Sequence, residues 1–151
     1  SEERKGLSLL TAPPPNDDLA PPAPTRGLVL VADDEVHVRR IARAVLEEEG
    51  YTLLEATNGL EAVQLFRERR DDLQLVVLDL LMPGLSGEEV FATLTEERPN
   101  LPVILTSGYP KEIATRQLDA AATLAGFIKK PFRLNELVDL VSSVLDPEDT
   151  P

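Results

Sequence analysis

The chain has 151 residues, with 15 Lys and Arg against 27 Asp and Glu, a formal net charge of -12, one His and no Cys. This acidic balance excludes direct electrostatic capture of nucleic acid or of an anionic membrane surface, and it suits a cation or a basic partner. The lack of Cys excludes disulfides, thiolate catalysis and Cys-based zinc sites, His37 alone cannot build a His-rich centre, and no apolar run reaches the roughly 20 residues of a membrane span.

Residues 1–26 hold Pro13, Pro14, Pro15, Pro21, Pro22 and Pro24 among Ala, Asn and Asp. That composition has almost nothing periodic to bury and reads as a Pro-rich, flexible linker. One folded domain is expected over 27–146, and a disordered tail over 147–151.

Within the domain, Leu28 to Ala32 is a short apolar run of the kind that forms a strand buried on both faces, and it ends in Asp33-Asp34. Val38, Ile41, Ala42, Val45 and Leu46 recur at helical spacing over Glu35 to Glu49, and Gly50 supplies the stop. Tyr51 to Ala56 is a second strand; Asn58 can cap a helix reaching Arg70 whose inner face is Ala62, Val63 and Phe66. Leu75 to Asp79 is a third buried strand that closes on a carboxylate. Pro83-Gly84 and Ser86-Gly87 then form a loop before a helix over Glu88 to Arg98. Val103 to Thr106 is a fourth strand, and Pro110 opens a helix expected to reach about Ala122. Gly126 to Ile128 is a fifth strand, Pro131 breaks the chain, and Leu134, Leu137, Val138, Val141 and Leu145 mark the apolar stripe of a last helix over Arg133 to Leu145.

Five strands alternating with five helices imply an α/β fold, a doubly wound parallel sheet with right-handed crossovers. At this size the flavodoxin-like (βα)5 arrangement, strand order 2-1-3-4-5, is the expected one, and it sets strands one and three side by side at the switch point where ligands bind. Asp33, Asp34 and Asp79 then share one crevice. Two carboxylates about 4 Å apart repel by roughly 4 kcal/mol at an effective dielectric near 20, so three need a cation or must take up protons. With oxygen ligands only, Mg²⁺ is the natural ion. Thr106 brings a hydroxyl to the same edge, and Lys129 and Lys130 bring ammonium groups. A carboxylate nucleophile, a hard metal, a hydroxyl and an ammonium are the parts needed to take up and hold a phosphoryl group.

Each part has an ordinary alternative. Asp34 can simply cap the first helix, Thr106 fits a strand by propensity, and a Lys-Lys pair suits a solvated face. Met82 and Phe66 read as packing, and His37 as an exposed helix residue. Convergence is the argument against coincidence, since every polar candidate closes an apolar strand at one sheet edge.

The strings Val29-Leu30-Val31-Ala32-Asp33-Asp34-Glu35, Leu78-Asp79-Leu80-Leu81-Met82-Pro83-Gly84, Leu105-Thr106-Ser107-Gly108 and Phe127-Ile128-Lys129-Lys130-Pro131-Phe132 resemble, in order and spacing, the receiver domain of two-component response regulators. The resemblance implies that Asp79 is the phosphoacceptor, charged from the phosphohistidine of a histidine kinase or histidine phosphotransfer domain. It implies that Asp33, Asp34, Asp79 and the backbone carbonyl of Leu81 hold Mg²⁺, and that Thr106 and Lys130 engage the phosphoryl group. Phe127 falls where the family has its switching aromatic, here without a hydroxyl, and plain core packing is the alternative. The Lys130–Pro131 bond is expected to be cis. The Pro-rich stretch ahead of the domain, the start at Ser1 and the string Thr106-Ser107-Gly108-Tyr109-Pro110 lead to the expectation of a cytoplasmic receiver at the C-terminal end of a hybrid histidine kinase. A stand-alone regulator or phosphorelay intermediate is the close alternative. A Mg²⁺-dependent aspartyl phosphohydrolase is the more distant one, since Leu81 stands where such enzymes need a second acid.

Overall fold

The structure is a computed structural model that describes residues 26–116, 118 and 124–146. The expected linker up to residue 25 and the tail from 147 onward lie outside the described residues. Strands β1 (Leu28–Ala32), β2 (Thr52–Ala56), β3 (Leu73–Asp79), β4 (Val103–Ser107) and β5 (Gly126–Lys129) alternate with helices α1 (Val36–Glu48), α2 (Gly59–Glu68), α3 (Gly87–Glu97), α4 (Lys111–Ala114) and α5 (Leu134–Leu145). The sheet is parallel throughout, in the order β2-β1-β3-β4-β5. This is the flavodoxin-like arrangement expected from the sequence.

Alternation along each strand explains why the runs are apolar at every position. Leu28, Leu30 and Ala32 of β1, with Val76 and Leu78 of β3, face one layer and pack with Phe66 of α2 and Leu94 of α3. Val29, Val31, Leu75 and Val77 point the other way, onto Leu46 of α1 and Leu137 and Val141 of α5. The central strands therefore have no solvated face, and the only places they can present polar groups are their ends.

The helix starts follow local chemistry. The Asn58 side chain accepts a hydrogen bond from the Glu61 amide, and Ser86 and Glu89 form a reciprocal capping box. Gly87, the first residue of α3, is pressed against the end of β3: a Cβ there would lie 2.4 Å from Leu80 Cα and 2.6 Å from the Asp79 carbonyl oxygen.

Several boundaries differ from expectation. β3 begins at Leu73 rather than Leu75, because a register irregularity between Leu28 and Val29 lets Leu73 pair with β1. β4 runs on to Ser107 and β5 to Lys129, as those two residues pair with each other. The helix expected from Pro110 to about Ala122 needs the largest correction. Pro110 is the residue before the helix, not its first turn, and α4 ends at Ala114. The Thr115 hydroxyl donates to the Lys111 carbonyl at 2.7 Å, and the Arg116 amide closes on Ile113, three residues back, which tightens the chain out of the α-helix. Residues 117 and 119–122 of the expected span lie outside the described residues.

Arg26, the last residue of the expected linker, is held against the domain. Its amide donates to the Gly50 carbonyl, and its guanidinium lies over the Tyr51 ring at 4.9 Å and pairs with Asp146 at 2.5 Å.

Candidate functional site

β1 and β3 are neighbours, so the residues that follow their last apolar positions emerge together. Asp33 and Asp79 are almost fully buried, Asp34 is exposed, and each of the three offers a carboxylate oxygen within 4.8 Å of the others. Asp34 does not cap α1. The residue before the helix is Glu35, whose side chain makes no cap, while Asp33 Oδ1 accepts the Glu35 amide at 2.9 Å. That bond fixes the Asp33 carboxylate and leaves Asp34 turned toward solvent beside it.

Asp79 is held at both oxygens. Oδ1 accepts the Leu81 amide at 3.0 Å and Oδ2 accepts Lys130 Nζ at 3.1 Å. Burial pushes its pKa up; the Leu81 amide, which favours the charged form, opposes this, the neighbouring Asp33 charge adds to it, and Lys130 opposes it again. Lys130 Nζ lies 2.7 Å from Asp33 Oδ2 as well, and 3.5 Å from Glu35 Oε2. Burial alone would lower the Lys130 pKa, yet its hydrogen bonds and attraction to Asp33 and Asp79 leave it raised. The peptide bond from Lys130 to Pro131 is cis.

Thr106 is the register partner of Asp79 on β4, and its backbone carbonyl accepts the Leu80 amide. Its Oγ1 is buried without a hydrogen-bond partner. A buried hydroxyl left unpaired costs about 1–3 kcal/mol relative to a satisfied one, so this is a donor in want of an acceptor beside a carboxylate.

Phe127 sits on β5 opposite Leu105, partly buried against the core layer that holds Leu105. Leu81 is 58% exposed. His37 is exposed and its ring nearest Glu35, at 3.7 Å, so it stays outside the acidic cluster. Met82 and Phe66 are core residues, and Lys129 is exposed, its ammonium 3.4 Å from the neighbouring Lys130 carbonyl. A cleft of about 560 Å³ opens over the site between Asp34, Asp79, Lys130 and the apolar side chains of Val38, Ile41 and Phe132.

Two residues that sequence reasoning passes over also reach this loop. Arg39 Nη1 donates to the Asp33 carbonyl at 2.7 Å, and Arg39 Nε donates to Glu55 Oε1 at 3.1 Å. The signal present in the sequence is Glu55 itself, a charge in the middle of the strand-like run Thr52-Leu53-Leu54-Glu55-Ala56.

All four strand ends thus deliver their polar residues to one edge, and the set is all oxygen and nitrogen: three carboxylates that fit a hard dication, one ammonium and one unpaired hydroxyl. Comparison with known proteins agrees with this arrangement. The profile of the response regulator receiver domain matches residues 29–142. The chain is 35% identical over 121 residues to the sensor kinase CckA of Brucella abortus, which covers 80% of this chain but only 13% of that protein. It is 31% identical over 117 residues to sporulation initiation phosphotransferase F of Bacillus subtilis, covering 78% of this chain and 92% of that one. Among solved structures, the response regulator protein TrrA from Thermotoga maritima, in complex with Mg²⁺-BeF, matches with a TM-score of 0.65 at 30% identity, over 78% of this chain and 98% of the other. The profile match spans most of the folded part, and on that ground the chain belongs to the response regulator receiver domain family, the receiver module of two-component signalling.

Proposed function

We propose that Asp79 is the phosphoacceptor of this receiver and that Asp33, Asp34, Asp79 and the backbone carbonyl of Leu81 hold Mg²⁺ for the transfer. The observation that carries the reading is the buried Asp79 carboxylate, within 4.8 Å of two further carboxylates and 3.1 Å from the Lys130 ammonium. The three carboxylates offer only oxygen, the donor set a hard dication prefers, and the Lys130 ammonium paired with Asp33 and Asp79 leaves them with surplus negative charge. When bound, the ion supplies charge neutralisation for an anionic group approaching an anionic nucleophile.

In this reading an Asp79 carboxylate oxygen attacks the phosphorus of a phosphohistidine. The P–O bond forms as the P–N bond breaks, and the imidazole leaves. Lys130 turns one of its donors to the new phosphoryl oxygens, and the unpaired Thr106 hydroxyl donates to another. Relief of that buried hydroxyl pulls the β4–α4 segment toward Asp79, and Phe127 on the adjacent strand repacks. Thr106 and Phe127 are the switch, and Asp79, Thr106 and Lys130 carry the chemistry.

The donor in this reading is the phosphohistidine of a kinase or of a histidine phosphotransfer domain, in the cytoplasm where ATP is available to charge it. We place the domain in a hybrid histidine kinase, a reading supported by the match to a small part of CckA. The match over nearly the whole of sporulation initiation phosphotransferase F favours the second reading, a stand-alone phosphorelay intermediate. An open reading frame that continues upstream into a kinase core decides for the first. The chemical test is incubation with acetyl phosphate and Mg²⁺ followed by intact mass. One phosphoryl group is expected on the protein and none on Asp79→Asn; phosphorylation of Asp79→Asn at the same level overturns the assignment.

A further inference from the structure

The Asp33 peptide leaves the sheet just where the acidic pair begins, and both of its polar backbone groups are nevertheless held. Its amide donates to the Ala56 carbonyl of β2 at 3.0 Å. Its carbonyl accepts Arg39 Nη1 at 2.7 Å, from a side chain that is only 12% exposed. Arg39 is in turn anchored by Glu55, through Nε to Oε1 at 3.1 Å, and Glu55 Oε2 accepts from Arg43 Nε one helical turn further along α1. A single guanidinium therefore ties α1 and β2 to the carbonyl of the residue that starts the acidic pair. A carbonyl at a strand exit ordinarily turns to water. Here an arginine fork fixes it, and the planar guanidinium holds its donors to both partners in one rigid geometry, whereas the donors of an ammonium turn on a flexible stem.

We infer that Arg39, oriented by Glu55, is a positioning residue that sets the Asp33–Asp34 turn for divalent-cation binding. The inference rests on the Mg²⁺ reading of the site given above. Charge alone makes the opposite forecast. A guanidinium beside an acidic cluster repels an incoming cation, so deleting it on purely electrostatic grounds tightens binding. Glu55 offsets that charge locally, and what Arg39 contributes is geometry: the Asp33 backbone is held, Asp33 Oδ1 stays on the Glu35 amide, and the remaining carboxylate oxygens stay converged. Outer-shell groups of this kind are worth roughly tenfold or more in metal affinity.

The test is calorimetric titration of Mg²⁺ into the wild-type chain and into Arg39→Ala, Arg39→Lys, Glu55→Gln and Arg43→Ala, together with amide hydrogen exchange in the presence of chelator. Arg43 shares Glu55 but does not touch Asp33, so it controls for loss of fold stability. Arg39→Ala is expected to weaken Mg²⁺ affinity roughly tenfold, with Arg39→Lys and Glu55→Gln intermediate and Arg43→Ala within about twofold of wild type. The Glu35 amide, held by Asp33 Oδ1, is expected to exchange faster in Arg39→Ala and not in Arg43→Ala. Mg²⁺ binding that is unchanged or tighter in Arg39→Ala, or equally weakened in Arg43→Ala, overturns the inference. Should Arg39→Ala not fold, Glu55→Gln and Arg39→Lys decide the matter. A wild-type chain that binds no Mg²⁺ removes the metal reading itself, and the Glu35 exchange rates then still show whether Arg39 holds the turn.

Discussion

The ammonium of Lys130 stands closer to Asp33, at 2.7 Å, than to Asp79, at 3.1 Å. One partly buried cation is thus shared by two buried carboxylates at the ends of neighbouring strands. Removing one partner of such a group leaves the others charged and unpaired, a loss of about 3 kcal/mol. Lys130→Met, which keeps the stem and drops the charge, is expected to lose stability of that order in urea unfolding with chelator present, and to recover part of it in Mg²⁺. It is also expected to accept phosphate from acetyl phosphate while failing to show the wild-type NMR shifts on phosphorylation.

Thr106 gives a prediction of opposite sign. Its hydroxyl is buried and unpaired, so replacing it by Val removes an unsatisfied group from the resting state. Thr106→Val is expected to stabilise the unphosphorylated domain by about 1 kcal/mol, read as a raised Tm. The same variant is expected to shift less on addition of beryllofluoride and Mg²⁺, since the group that would reward the switched state is gone.

The network around Glu55 sets a pH dependence. Its hydrogen bond to Arg43, partly offset by burial and reinforced by attraction to Arg43 and by Arg39, lowers its pKa below the ordinary 4.5. A carboxylate depressed in the folded state stabilises the fold above its unfolded pKa and loses that contribution as pH falls through its folded pKa. Glu55→Gln is therefore expected to be less stable than wild type at pH 7, and the gap is expected to close below about pH 4.5. Urea midpoints of the two proteins from pH 7 to pH 3 measure it.

Gly87 reports on the loop that follows Asp79, the proposed phosphoacceptor. A Cβ at this position meets backbone atoms of Asp79 and Leu80, not a side chain that can swing away. Gly87→Ala is expected to cost about 2 kcal/mol through forced backbone movement. Because that movement falls on the peptide following Asp79, acetyl phosphate labelling is expected to slow more than in an equally destabilised core variant such as Val141→Ala.

The gathering of Asp33, Asp34, Asp79, Thr106 and Lys130 at one edge was legible because the strands they follow or close are short, mainly apolar runs, and a polar residue closing such a run lies at its end, while the sheet order follows from the usual arrangement of five strands and five helices at this size. The fourth helix was not legible. Pro110 signals a helix start well enough, but whether Thr115 spends its hydroxyl on the Lys111 carbonyl depends on geometry rather than composition. Arg39 escaped notice for a related reason. On a helical wheel Arg40 is solvent-facing and Arg39 falls at the border of the apolar stripe, beside Leu46, but only the packing of α1 across the exit of β1 shows that Arg39 grips the Asp33 carbonyl. Asp34 as a helix cap was the reasonable local reading, and it fails because the turn places Glu35 at the cap position.

The pairing of Arg26 with Asp146, across 120 positions of sequence, brings both borders of the domain to the rim of the sheet opposite the acidic edge. The fold is in this sense a closed circle cut at one point. A permuted chain in which a short peptide joins residue 146 to residue 26, and new ends are opened in the turn at Pro99–Asn100, keeps every strand exit and its cargo of charges untouched.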